Sequence, residues 1–179
     1  MSDIPDAPPP PELHRPLALE RIPPHGFKMV VTATPAECIA LAARLRIPAV
    51  RSLTCRFQLN NLPRGQVAAE GELRARVVQT CIVSLDDFAT DIIEPFRIRL
   101  VPAGTESEED ALSTDPESDD EVPYEGVFLD LGEAASEQLA LALDPYPRKP
   151  GAELPEGAAD PDASPFAALA AFAASRRKN

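Results

Sequence analysis

Between residues 51 and 100 the apolar residues recur with a period of two. Leu53, Cys55, Phe57 and Leu59 alternate with Ser52, Thr54, Arg56 and Gln58. After the turn NNLPRG, Val67, Ala69, Gly71, Leu73, Ala75 and Val77 alternate with Ala68, Glu70, Glu72, Arg74 and Arg76, and further on Phe96, Ile98 and Leu100 alternate with Arg97 and Arg99. Successive side chains of a strand point to opposite faces, so each stretch reads as a strand with one apolar and one charged face. Three such strands joined by short turns make an antiparallel sheet that must be covered on one side. The expected class is therefore α+β, an antiparallel β-sheet or partial β-barrel packed against a few helices.

A cover stands next to the strands. Thr34-Pro35-Ala36-Glu37 reads as a capping box with proline at the first helical position. The helix it opens carries Ile39, Ala42, Ala43 and Arg46 on one side with Leu41 and Leu45 beside them, and Pro48 stops it. Residues 27–33 (FKMVVTA) before it are short and β-branched and read as a strand. Residues 126–131 (GVFLDL) read as a returning strand, and 133–143 (EAASEQLALAL) as a helix ended by the proline after Asp144. A last helix, 164–175, is opened by Ser164-Pro165. It places Phe166, Leu169 and Ala173 on one face, and Arg176, Arg177 and Lys178 near its C-terminal end, where positive charge is favourable.

Proline and charge divide the chain in the same places. Of 21 prolines, eight lie in residues 1–24 and nine at or beyond Pro102, leaving four in 25–101. Of the net charge of -12, residues 102–123 supply nine carboxylates with no basic residue, whereas residues 12–101 carry a surplus of +3. The acidic block is too poor in apolar surface to offset the entropy of ordering it, and reads as a solvated loop. With 179 residues there is room for one ordinary domain. The expected organisation is a disordered Pro-rich arm at 1–11, one α+β domain at 12–148 interrupted by the loop 102–123, a linker at 149–163 and the helix 164–175. No apolar stretch approaches the roughly 20 residues of a membrane span, and the N-terminus has neither a basic start nor an apolar run. The expected location is the cytoplasm, without membrane association. Cys38, Cys55 and Cys81 are widely spaced and odd in number, which reads as three reduced thiols.

Little in the chain points to catalysis. His14 and His25 have no Ser, Cys or carboxylate at a suggestive spacing, and read as exposed side chains. Cys81, in QTCIVSL, has the chemistry of a nucleophile or metal ligand but no neighbouring His or second Cys, and reads as a small buried side chain. Asp86, Asp87 and Asp91 have the chemistry to hold Mg²⁺, but carboxylates after a strand more often make a turn. There is no phosphate-cradling glycine loop, GxSxG elbow or HExxH. No catalytic residue, metal ligand, cofactor or small-molecule substrate is assigned.

The arginines are more informative. Arg56, Arg74, Arg76, Arg97 and Arg99 all fall on the polar parity of neighbouring strands, which gathers them on one exposed sheet face. Guanidinium groups so arranged pair with phosphates. The competing reading is a solvated face neutralised by Glu70, Glu72 and Glu94, and aromatic residues for base stacking are missing from it.

Three segments carry a resemblance to a known family. Residues 71–85 (GELRARVVQTCIVSL), 137–151 (EQLALALDPYPRKPG) and 164–169 (SPFAAL) stand in the order found in the YceD family, large ribosomal RNA subunit accumulation proteins, and resemble its alphaproteobacterial branch. The resemblance implies a non-enzymatic factor for accumulation or processing of 23S ribosomal RNA and for large-subunit assembly. It transfers no catalytic residues. Some relatives carry further cysteines; this chain keeps only Cys81 of that pattern. Asp144-Pro145-Tyr146-Pro147-Arg148 is a rigid turn that either displays Tyr146 and Arg148 for recognition or buries Tyr146 as a packing corner. The expected partner is pre-ribosomal RNA or a large-subunit ribosomal protein, met by the five arginines with Tyr146 and Arg148. The alternative is an acidic module in which 102–123 shields a basic ribosomal protein. A metal-dependent nuclease would rest on Asp86, Asp87 and Asp91 alone.

Overall fold

The computed structural model describes residues 11–104 and 119–153. Its elements are β1 (Pro16–Ala18), β2 (Phe27–Thr32), α1 (Pro35–Leu45), β3 (Ala49–Asn61), β4 (Val67–Thr80), β5 (Asp87–Pro102), β6 (Asp120–Tyr124), β7 (Phe128–Asp130) and α2 (Leu131–Ala142), with short 3-10 turns at Leu19–Arg21 and Pro63–Gly65. Strands β2, β3, β4, β5 and β6 form one sheet in that order, and β1 pairs with β7 in a second, two-stranded one. The large sheet is antiparallel except at its edge, where β6 runs parallel to β5, and it is not closed into a barrel. The class is α+β. The expected helix 164–175, the expected arm except Pro11, most of the acidic loop and residues 154–163 of the expected linker lie outside the described residues.

The alternation of the sequence becomes the register of the sheet. Leu53 faces Ala75, Cys55 faces Leu73 and Leu59 faces Ala69, which in turn faces Ile98. All are buried, beneath Cys38, Leu41 and Ala42 of α1 and Leu131, Ala134, Ala135 and Leu139 of α2. At the centre Phe57, Gly71 and Phe96 are cross-strand neighbours, and the two rings meet edge to face, 5.4 Å between centroids and 71° between planes. A Cβ on Gly71 would strike the Phe96 ring and stand 2.6 Å from the carbonyl oxygen of Arg56. Glycine is required there by close approach.

α1 begins as its capping box predicts: the Glu37 amide donates to Thr34 Oγ1 at 3.3 Å, and the Thr34 amide to Glu37 Oε2 at 2.7 Å. It ends one step differently. Arg46 takes a left-handed conformation, φ 54°, and the amides of Arg46 and Ile47 close on the carbonyls of Ala43 and Ala42, so the helix is capped before Pro48. Ile39, expected on the apolar side, is 74% exposed. The face that meets β3 is set by Cys38, Leu41 and Ala42, and Ile39 stands a helical step of about 100° beyond Cys38.

Two further departures have clear causes. The end of the acidic block is a strand, because Val122 pairs opposite Leu100 and Tyr124 is buried with its hydroxyl donating to the Gly65 carbonyl at 2.6 Å. β5 begins at Asp87, well before the alternation at 96–100 suggests, since its ladder with β4 runs unbroken from Thr80↔Asp87 to Val67↔Leu100. Residues 11–22 also join the core: Leu13, Leu17 and Ile22 are buried, and the N-cap of α2, Asp130, accepts from the amides of Gly132, Glu133 and Arg15. Arg44 on α1 ties this segment to α2 through Glu12 and Glu133.

Candidate functional site

The parity of the strands places Arg56, Arg74, Arg76, Arg97 and Arg99 on one face of the large sheet, the face that neither helix covers. Lys28 and the exposed side chains of Val30 and Ile93 share it, while Phe27, Phe57, Phe88 and Phe96 lie on the other parity. Among the described residues, the open face thus holds guanidinium groups without aromatic partners.

Carboxylates are interleaved with them. Glu72 lies 3.5 Å from Arg56 and 2.6 Å from Arg74, and the Arg74 guanidinium draws its carboxyl below the ordinary range. Arg76 stands 3.7 Å from Asp91, and half-buried Arg99 stands 3.5 Å from Glu121 on β6. Arg97 faces Glu70 in register and makes no ion pair among the described residues. Of the carboxylates expected to neutralise this face, Glu94 is on the opposite parity, and Asp91 and Glu121 take its place. Arg56, Arg74 and Arg76 keep between 53% and 59% of their side-chain surface. Ion pairs that wet contribute about 0–1 kcal/mol and exchange partners readily.

Tyr146 and Arg148 belong to a different region. The segment leaving α2 crosses the end of the β4–β5 hairpin. There the Gln79 side chain donates to the Asp144 carbonyl, the Ile82 amide donates to the Pro147 carbonyl at 2.9 Å, and Lys149 Nζ stands 3.1 Å from Asp86. Tyr146 is 71% exposed, so the turn displays it and does not bury it. Leu85 on the hairpin, at φ 61°, is 76% exposed. The sheet gathers the five arginines; Tyr146 and Arg148 sit at its hairpin end.

Cys81 lies under this crossing. Its residue is buried, and its sulfur accepts from the amides of Val83 and Ser84, each at 3.4 Å. The Ser84 hydroxyl, with backbone amides including that of Lys149, holds the thiol down to about 6. By contrast, burial pushes the Cys55 thiol up to about 12. The three aspartates are each engaged: Asp86 with Lys149, Asp87 with the Thr80 hydroxyl and Asp91 with Arg76. Among the described residues no group of three or more His, Cys, Asp or Glu is placed to hold a metal ion, and no helix is long and apolar enough to cross a membrane. His25 is exposed. His14 is exposed too, but contrary to expectation it has a carboxylate partner, Asp130, which is already committed to capping α2.

Sequence reasoning missed the junction at the hairpin end. One signal was available: Gln79 stands on the apolar parity of β4 after Leu73, Ala75 and Val77, and a buried amide there requires a partner.

No curated protein and no solved structure matches the chain. A family model described as "Large ribosomal RNA subunit accumulation protein YceD" matches residues 69–173, more than half of the sequence. The match begins on β4, includes the hairpin, β5 and α2, and takes in Arg74, Arg76, Arg97 and Arg99 of the arginine face and the DPYPR turn, while Arg56 on β3 lies before it. The chain belongs to the YceD family, whose name assigns it a role in the accumulation of large ribosomal subunit RNA.

Proposed function

We propose that this protein is a non-enzymatic ribosome biogenesis factor that supports 23S rRNA accumulation by binding pre-ribosomal RNA on the open face of its sheet, in the cytoplasm. The observation that carries this reading is the convergence of Arg56, Arg74, Arg76, Arg97 and Arg99 on a face that neither α1 nor α2 covers. A planar guanidinium exchanges a solvated carboxylate for a phosphate oxygen at small cost, and each exchange releases condensed counterions from the RNA. Tyr146 and Arg148 add a stacking ring and a cation at the hairpin end. The absence of aromatic residues from the arginine face among the described residues suits contact with backbone phosphates and not with bases.

The test is binding of the purified full chain to precursor 23S RNA over a salt series. Affinity is expected to fall steeply as salt rises, and Arg74→Glu with Arg76→Glu to weaken binding about 10- to 100-fold while flattening the salt slope. Binding indifferent to salt and to both substitutions overturns the RNA reading.

A second reading has its own support. Asp120 and Glu121 on edge strand β6 end a block with nine carboxylates, a surface suited to a basic large-subunit ribosomal protein. Deleting residues 105–118, which leaves β6 in place, is then expected to abolish capture of such proteins, and unchanged capture removes this reading.

A further inference from the structure

Among the described residues, α1 and α2 do not cover the sheet up to its β5 edge. β6 pairs only with Ile98–Pro102, so from Asp87 to Arg97 the outer edge of β5 has no strand neighbour among the described residues. Between this edge and the last turn of α2 runs a groove lined by Glu94, Phe96, Asp120, Gln138, Leu141 and Ala142. Its apolar part is Leu141, 73% exposed on α2, facing Phe96, whose ring is braced by Phe57. Its carboxylates are Glu94 and Asp120, with Arg97 at the rim. A leucine left open beside a half-buried phenylalanine is surface that a further segment would cover.

We propose that residues 164–175 of this same chain occupy the groove, with Phe166, Leu169 and Ala173 against Leu141, Ala142 and Phe96. Reach permits it. The chain is held at the hairpin end by the Ile82 amide on the Pro147 carbonyl, with Lys149 beside Asp86, and Glu94 lies roughly 26 Å further along β5 at about 3.3 Å per residue. The residues between Glu153 and Ser164 span up to about 35 Å when extended. Apolar spacing permits it: Phe166, Leu169 and Ala173 fall on one helical stripe, which matches a groove one helix wide. Charge favours it, since Arg176, Arg177 and Lys178 follow the stripe and the groove carries Glu94 and Asp120. The family match also runs from β4 across the linker to residue 173, so the tail belongs to the same matched unit as the groove walls.

The test joins the two surfaces covalently in the full chain. Leu141→Cys with Leu169→Cys is oxidised gently at low protein concentration and mapped by peptide mass; Cys38, Cys55 and Cys81 are buried. An intrachain 141–169 disulfide is expected, with at least several-fold less linkage for Ile39→Cys with Leu169→Cys, because Ile39 is equally exposed on the far side of α1. No 141–169 link, a link between two chains, or equal linkage to position 39 overturns the proposal. In the otherwise unaltered protein, Leu141→Asp is expected to raise amide exchange over 164–175 several-fold with the sheet amides unchanged. Exchange of the tail that does not respond also overturns it.

Discussion

The side-chain amide of Gln79 on β4 donates to the backbone carbonyl of Asp144 at 3.0 Å, across 65 residues of sequence. This bond latches the strand of the open face to the turn that follows α2. The Asp144 carboxylate then accepts from the Tyr146 amide at 2.8 Å, which fixes the turn with the tyrosine ring outward. Two segments within the family match, on β4 and after α2, are therefore in contact.

Gln79→Leu keeps the volume and removes the donor, leaving the Asp144 carbonyl without this partner. The expected loss is about 1–3 kcal/mol, read as a lower urea midpoint, with faster amide exchange at 144–149. An unchanged midpoint and unchanged exchange would show the latch to be dispensable.

Gly71→Ala inserts a methyl group between the Arg56 carbonyl and the Phe96 ring. Overpacking of this kind costs about 1–3 kcal/mol. Phe96→Leu in the same chain is expected to recover part of that loss, so a double-mutant cycle in urea should show coupling between the two positions. Simple additivity would contradict the packing described here.

Acid should loosen the N-terminal segment from α1. Arg15 makes a two-pronged pair with Glu37, at 2.8 and 2.9 Å, and holds its carboxyl at about 2 against an ordinary 4.5. A carboxyl depressed in the folded state contributes stability that is present above about 4.5 and lost as pH falls towards about 2. Glu37→Gln keeps an acceptor for the Thr34 amide and loses the charge that pairs with Arg15, so it should be less stable than the parent at neutral pH by about 1 kcal/mol. The difference should close in acid. A gap that stays constant down to the acid limit would contradict this assignment.

The Cys81 thiol should ionise near 6 in the folded chain, well below its ordinary 9.0, because donors from Ser84, Lys149 and Val83 converge on its sulfur. Thiolate absorbance in the ultraviolet, followed against pH, is expected to show one step near 6 that Cys81→Ala removes. A first step near 9 would contradict the geometry at the hairpin.

The sequence made legible those parts of the fold in which one side is buried and the other wet. β3 and the long apolar run of β4 declare themselves because Leu53, Cys55, Phe57, Leu73, Ala75 and Val77 must all face the helices. The first half of β5 does not, since Asp91, Ile93 and Glu94 are exposed on both faces and the strand is made by the ladder β4 offers, not by burial. β6 is hidden by its own block, in which carboxylates outweigh the two anchors, Val122 and Tyr124. The arginine face was readable from parity alone. The latch was not, because its partners meet only when α2 has folded over the sheet.

The most direct measurement places a photo-crosslinking residue at Thr54, which faces Arg74 across the strands on the open face, and identifies what becomes attached in growing cells. The account predicts precursor RNA of the large ribosomal subunit, with attachment lost when Arg74 and Arg76 are both changed to Glu. Attachment to protein alone, or RNA attachment that survives those two substitutions, would contradict it.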